Sequence, residues 1–201
     1  MNKSESKYYN TACLMDEALI LLLEKKNFEF ITVKEICEKA GVNRSTFYLH
    51  YETMNDLLEE SAQYFLKKFY LQMQETDDFN MADGERGISK HIESAPKDDL
   101  YLVSAKYLVP YLQFIKENRR IFGTVLNRAK LFGWENVYNF MFDKIFSPIM
   151  DRFGVPNDEK LYMVSFCVHG LTAIVKQWID GGCVDDVRKI TEIMQKCAGK
   201  R

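Results

Sequence analysis

Residues 43–51 read NRSTFYLHY and crowd hydrogen-bonding side chains into one short stretch. If the stretch is helical, successive residues turn by about 100°. Phe47 and Tyr51, four apart, then share a face that must pack on neighbouring helices. Ser45 and Leu49 point the opposite way, with Thr46 and Tyr48 on the shoulders and Arg44 and His50 at the edges. The outward surface therefore offers hydroxyls, a phenol, an imidazole, a guanidinium and one apolar side chain, and no lysine or carboxylate between residues 43 and 51. Such a set fits the DNA major groove. Hydroxyls contact bases or phosphates, arginine forks onto guanine O6 and N7, and an apolar group touches the thymine methyl. A carboxylate would be repelled by the phosphates.

The elements around this stretch are those needed to present it. Thr32 with Glu35 three residues on forms a capping box for a preceding helix whose Val33, Ile36 and Ala40 face inward. Gly41 supplies the turn, and Asn43 can cap the second helix. Two short helices across a tight glycine turn make a helix-turn-helix, whose second helix reads base edges. Upstream, Met15, Leu19, Leu22 and Leu23 mark the apolar face of a first helix. Downstream, Thr53 and Asp56 open a long helix carrying Leu57, Leu58, Tyr64, Phe65, Leu66, Phe69 and Met73.

Apolar residues recur at three and four throughout and nowhere alternate as in strands, so the chain is expected to be all-α, with about nine helices. The polar stretch 75–99 reads as a connection holding at most a short helix. Pro110 is expected to kink or end the helix around it. Lys25-Lys26 and Arg119-Arg120 read as solvated helix ends, and His91 as a solvated residue of the connection. The net charge of −2 and pI near 6.0 give no bulk basic coat, so any nucleic-acid contact is local. The five scattered cysteines form no CxxC pair, which points to free thiols in a reducing cytoplasm. The run Leu19 to Leu23 is too short to span a bilayer and no apolar leader precedes it, so no membrane partner is expected.

From Thr11 to Leu58 the chain resembles the TetR family of bacterial transcriptional regulators, through FITVKEICEKAGVNRSTFYLHYETMNDLL. The matching positions include Thr32, Ile36, Ala40-Gly41-Val42, Thr46-Phe47-Tyr48, His50-Tyr51 and Leu57. The resemblance implies an Ω-shaped helical homodimer. In each subunit a three-helix DNA-binding head, residues 1–53, is joined by a long fourth helix to a helical effector-binding and dimerisation region, residues 54–201. The operator DNA would be double-stranded and palindromic. Its contacts carry over onto Thr32, Lys34, Arg44, Ser45, Thr46, Tyr48, Leu49 and His50, with Asn43 and Thr53 at the adjoining caps. The lysine common at the start of the fourth helix is replaced by Met54, and Glu52 precedes it, which removes one phosphate contact and adds a repulsion. Lys3 and Lys7 are placed to compensate as an N-terminal arm.

The segment FCVHGLTAIVKQWIDGGCVDDVRKITEIM resembles the family's last two helices, which pair across the dimer axis. Leu161, Val164, Val168, Leu171, Val175 and Trp178 form an apolar stripe there and are the expected interface, with Gly170 permitting close approach. Aromatics crowd residues 101–153, and a partly apolar small-molecule effector is expected among Tyr107, Tyr111, Phe114, Trp134, Tyr138, Phe166 and His169. No catalytic motif, P-loop, dinucleotide fingerprint or metal-ligand spacing occurs, so neither an enzyme nor a metal or other cofactor is expected. The competing reading is a degenerate TetR-like protein that binds a partner regulator and not DNA.

Overall fold

The computed structural model describes residues 3–74 and 84–199, and all regular structure among them is helical. In chain order the α-helices are α1 (Lys3–Leu23), α2 (Val33–Ala40), α3 (Arg44–His50), α4 (Met54–Gln74), α5 (Gly84–Ser94), α6 (Ala105–Glu117), α7 (Arg119–Asn127), α8 (Trp134–Met141), α9 (Ser147–Arg152), α10 (Asn157–Asp180) and α11 (Val187–Cys197). A π-helical turn, Phe142–Phe146, joins α8 to α9. The chain divides into two compact units, Met1–Lys68 with Arg120–Gly133, and Phe69–Arg119 with Trp134–Arg201.

In the first unit α1 is the central element. Met15, Leu19, Ile20 and Leu23 are fully or nearly fully buried, and Ile36, Phe47 and Leu57 join them with no exposed surface. The face expected from the spacing is therefore formed, with Leu22 at its margin. Phe65 and Phe122 meet edge-on, centroids 5.7 Å apart. Arg120 forks onto Glu24 through Nε (3.2 Å) and Nη2 (2.9 Å), and Arg128 donates to Asn27 at 2.8 Å. Lys26 donates to Glu35 at 2.5 Å. Arg120 and Lys26 are thus paired side chains, where their sequence positions read as solvated helix ends. The partners lie 96 and 9 residues away, beyond the reach of local pattern.

In the second unit α5 is more than a connection. Ile88 and Ile92 are buried with Ala95, Leu100, Ile145 and Ile149 in one cluster. A short helix with two isoleucines four apart has one apolar side, and burying it outweighs the polar composition around it. His91 is correspondingly half-buried. The Arg152 guanidinium donates to the carbonyls of Ile92 and Ala95, supplying partners and positive charge at the C-terminal end of α5. Helix α6 runs through Pro110, which neither ends nor divides it. The loss of one N–H is outweighed by the burial of Leu108, Leu112, Phe114 and Ile115 on the same helix. Between α10 and α11, Gly182 (φ 76°) and Cys183 (φ 54°) take left-handed backbone. Trp178 Nε1 closes that turn by donating to the Asp185 carbonyl at 3.0 Å.

Candidate nucleic-acid interface

The helix-turn-helix is built by interactions within a few residues of each other. Thr32 Oγ1 accepts from Glu35 N (3.3 Å), and Glu35 Oε2 accepts from Thr32 N (3.0 Å) and Thr32 Oγ1 (2.9 Å), completing the capping box of α2. Hydrogen bonds from Lys26 and then from Thr32 hold the Glu35 carboxyl well below its usual range, at about 2. Gly41 ends α2 in left-handed backbone, φ 70°, which any Cβ would strain. Asn43 caps α3, its Oδ1 accepting from Thr46 N at 2.7 Å. The next cap is reciprocal, with Thr53 N donating to Asp56 Oδ2 (2.8 Å) and Asp56 N to Thr53 Oγ1 (3.2 Å).

These contacts orient α3 as its wheel requires. Phe47 and Tyr51 are 0% and 2% exposed, while Leu49 is 74% exposed and Tyr48 49%. Arg44 and Ser45 are exposed and Thr46 half-buried. Arg44 Nη2 donates to Tyr48 Oη at 3.2 Å, its guanidinium 5.6 Å from the ring centroid, so the two side chains lie together one turn apart. Thr32, Asn43 and Thr53 are exposed at their caps. Lys34 is exposed and lies 3.7 Å from Glu38. Glu52 is exposed and Met54 half-buried.

Two features of the head lie outside what its sequence pattern announces. The first is Tyr8, which stacks on His50 at 3.9 Å and donates to the Leu49 carbonyl at 3.3 Å. His50 is half-buried beneath it, and burial lowers the imidazole's pKa against the opposing pull of Glu60. The imidazole is thus a stacking partner for α1. Lys7 is exposed on a helix that already runs from Lys3, where an arm was expected.

The second is Asp16, 3% exposed in the first unit's core. Its Oδ1 accepts from Tyr51 Oη (3.2 Å) and Ser61 Oγ (3.0 Å), tying α1 to the end of α3 and to α4. Burial pushes the carboxyl up to about 7, against those two hydrogen bonds and with Glu60 and Glu17 adding to the rise. The one signal in the sequence is that Asp16 shares the helical phase of Leu19, Ile20 and Leu23.

The residues expected around an effector do not all gather. Tyr107 and Phe114 are buried, the Tyr107 hydroxyl donating to the Asp99 carbonyl at 2.6 Å. Tyr111, Trp134 and Tyr138 are half-buried, and burial raises the Tyr111 phenol. Phe166, however, is 76% exposed, and His169 is exposed with Nδ1 2.7 Å from the Ser165 carbonyl. Tyr138 reaches their side of α10, 3.1 Å from Ser165 Oγ.

The expected interface stripe is likewise turned. Val164, Val175 and Trp178 are 3%, 0% and 4% exposed and have almost no surface to offer a second subunit. Val168 and Leu171 are half-buried on the same inward side, and only Leu161 is substantially open. Helix α10 is apolar on two sides, and spacing at three and four does not tell which side the chain covers with its own residues. The opposite face presents Tyr162 (78% exposed), Phe166, Ala173 and Gly170, where an added Cβ would meet nothing within 4 Å.

Comparison with known proteins accords with this architecture. A model of bacterial regulatory proteins of the tetR family matches residues 16–61, and one of a transcriptional regulator C-terminal region matches residues 104–200. The chain belongs to the TetR family of transcriptional regulators and carries its DNA-binding helix-turn-helix. It is 31% identical to the uncharacterized HTH-type transcriptional regulator YxbF of Bacillus subtilis (strain 168) over 116 residues, 56% of this chain, and spans about a quarter (26%) of that protein's length. Its fold is similar to that of the fatty acid degradation regulator FadR from Bacillus halodurans (TM-score 0.61, 15% identity, 94% of this chain and 96% of that one). It is also similar to NalD, the secondary repressor of the MexAB-OprM multidrug efflux pump in Pseudomonas aeruginosa (TM-score 0.50, 17% identity, 96% and 95% of the two chains). At these identities the likeness is one of fold. Among the described residues no helix is long and apolar enough to cross a membrane.

Proposed function

We propose that the chain is a ligand-responsive repressor that binds a palindromic operator as a homodimer and is released by a small, partly apolar effector. In functional terms residues 1–53 read DNA, and residues 54–201 bind the effector and dimerise. The observation that carries the reading is the outer surface of α3, where Arg44, Ser45, Tyr48 and Leu49 stand exposed around a buried Phe47. A dimer would set two such helices roughly 34–36 Å apart, in successive major grooves. Replacing Arg44 with Ala is expected to weaken specific binding by about 1–3 kcal/mol and to relax preference at one base if it forks onto guanine. A contact to phosphate alone would weaken all sequences alike and lower the salt slope by about one. Gel shifts on the chain's own upstream region across a salt series measure both. Unchanged affinity after joint loss of Arg44, Tyr48 and Leu49 would reject DNA reading.

For the dimer, the exposed face of α10 replaces the inward stripe as the contact surface. An exposed tyrosine and phenylalanine one turn apart, beside a glycine open to close approach, suit helix pairing. Phe166→Lys is expected to convert a dimer to monomer by sedimentation at micromolar concentration without unfolding, since Phe166 contributes little to the protomer's own core. A wild-type monomer would remove two-fold operator reading. The second reading, a degenerate regulator that binds a protein partner, draws on exposed Glu52 and on Met54 at the start of α4. Wild-type protein that binds no duplex even at low salt would favour it.

A further inference from the structure

Helix α3 is only 7 residues long, and a helix that short is held by what packs on it more than by its own hydrogen bonds. The closing carbonyls of a helix lack partners within it. The Leu49 carbonyl finds one in the Tyr8 hydroxyl, 3.3 Å away and 41 residues back along the chain. The Tyr8 ring also lies on the His50 imidazole, with centroids 3.9 Å apart and planes 26° from parallel. The imidazole is in turn 5.9 Å from the Tyr51 ring, which is 5.6 Å from that of Phe47. A row of rings thus runs from exposed Tyr8 through His50 into the buried core of the head.

Helix α1 therefore grips the end of α3 at two points. Asp16 accepts from Tyr51 Oη at 3.2 Å in the core, and Tyr8, about two turns earlier, meets His50 and Leu49 at the surface. The two contacts differ in what they can do. Asp16 is 3% exposed and ties core elements together, whereas Tyr8 is 55% exposed and buries too little to keep the head folded. What Tyr8 does restrain is the last turn of α3, beside Leu49 and Tyr48, which stand exposed on the outer surface. Tyr8 also precedes the stretch 16–61 that marks the family's head.

A segment fixed before association costs less to order on association, so restraint of this turn raises affinity without adding a contact to DNA. We infer that Tyr8 is a positioning residue for DNA reading, stacking on His50 to hold the last turn of α3 and, with it, the exposed Leu49 and Tyr48 as they meet the groove. This inference rests on the DNA-reading function proposed above and adds to it a determinant in α1, outside the helix-turn-helix. The stack is the working contact, and the long, exposed hydroxyl bond to the Leu49 carbonyl adds to it.

The test is selection of bound duplexes from a randomised pool by the full chain, followed by fluorescence anisotropy on the selected duplex with wild type, Tyr8→Ala, His50→Ala and the double variant. Tyr8→Ala is expected to stay folded by circular dichroism and to bind about fivefold more weakly. In the His50→Ala background the same change should cost less than about twofold, because its partner is already gone. Tyr8→Phe keeps the ring and should bind within about twofold of wild type. In the free protein, burial lowers the His50 imidazole while Glu60 pulls the other way, so Tyr8→Ala should raise its NMR titration midpoint toward the ordinary value. An unchanged midpoint would overturn the inference, as would unchanged affinity in Tyr8→Ala. So would an equal loss in both backgrounds, the mark of Tyr8 touching DNA itself, or a Tyr8→Phe as weak as Tyr8→Ala. Unfolding of Tyr8→Ala would make Tyr8 a core residue and overturn it equally. If the pool yields no enriched sequence, the DNA-reading function itself falls and takes the inference with it.

Discussion

Phe47→Ala is expected to unfold the head. Phe47 has no exposed surface, and its ring lies 5.6 Å from the buried Tyr51 ring. Truncating a buried phenylalanine costs about 3–5 kcal/mol in lost burial and residual cavity, a large share of what a small helical unit has to spare. Leu49, two residues on, is 74% exposed, and its replacement by alanine should change stability by less than about 0.5 kcal/mol. Hydrogen exchange across α1–α3 separates the outcomes. Phe47→Ala should abolish protection there, whereas Leu49→Ala should preserve it while altering DNA affinity. Retained protection in Phe47→Ala, together with unfolding by Ser45→Trp and Leu49→Trp, would mean that α3 turns its other face inward.

Asp16 is expected to make the head lose stability as pH rises. Its folded pKa, about 7, lies above the ordinary 3.8, so the folded head holds the proton more tightly than the unfolded chain does. The resulting stabilisation is fully present below about pH 4 and is lost as pH climbs through about 7. Three decades of pKa correspond to roughly 4 kcal/mol. Other groups contribute with their own signs. Glu35, held at about 2, stabilises above its ordinary pKa and loses that contribution only in acid. The measurable quantity is therefore the difference between wild type and Asp16→Asn in melts from pH 4 to 8. The amide keeps an oxygen for Tyr51 and Ser61 but does not titrate, so the variant should gain on wild type as pH rises. Parallel curves would show that Asp16 is ionised throughout. Asp16→Ala, which does not titrate either, should cost about 2–4 kcal/mol in acid, where wild type is most stabilised, because two buried hydroxyls lose their acceptor, and that cost should shrink as pH rises.

A dimer held through α10 and an operator contact through α3 would both depend on these local folds, but they were not equally legible. The helix-turn-helix could be read almost residue by residue. The Thr32–Glu35 box, the Asn43 cap, the left-handed Gly41 and the pairing of Phe47 with Tyr51 all join residues at most four apart. Interactions that short are set by side-chain type and helical geometry, and hardly depend on the rest of the fold.

What the sequence left open shares a different character. Tyr8 on His50, and Asp16 with Tyr51 and Ser61, join residues 35 to 45 apart. No local pattern marks a tyrosine as a stacking partner or a carboxylate as a buried acceptor. Helix α5 sits in a stretch of polar composition, and its two isoleucines count as core because α9 and the turn before it supply a surface to meet them. Helix α10 is the sharpest case. By itself the sequence determined that it is a long helix with apolar residues at three and four. Only the tertiary structure decided that Val164, Val175 and Trp178 turn inward while Tyr162 and Phe166 face out. Periodicity gives the angle between residues on a helix, whereas the side that is buried depends on which neighbouring helices arrive to cover it.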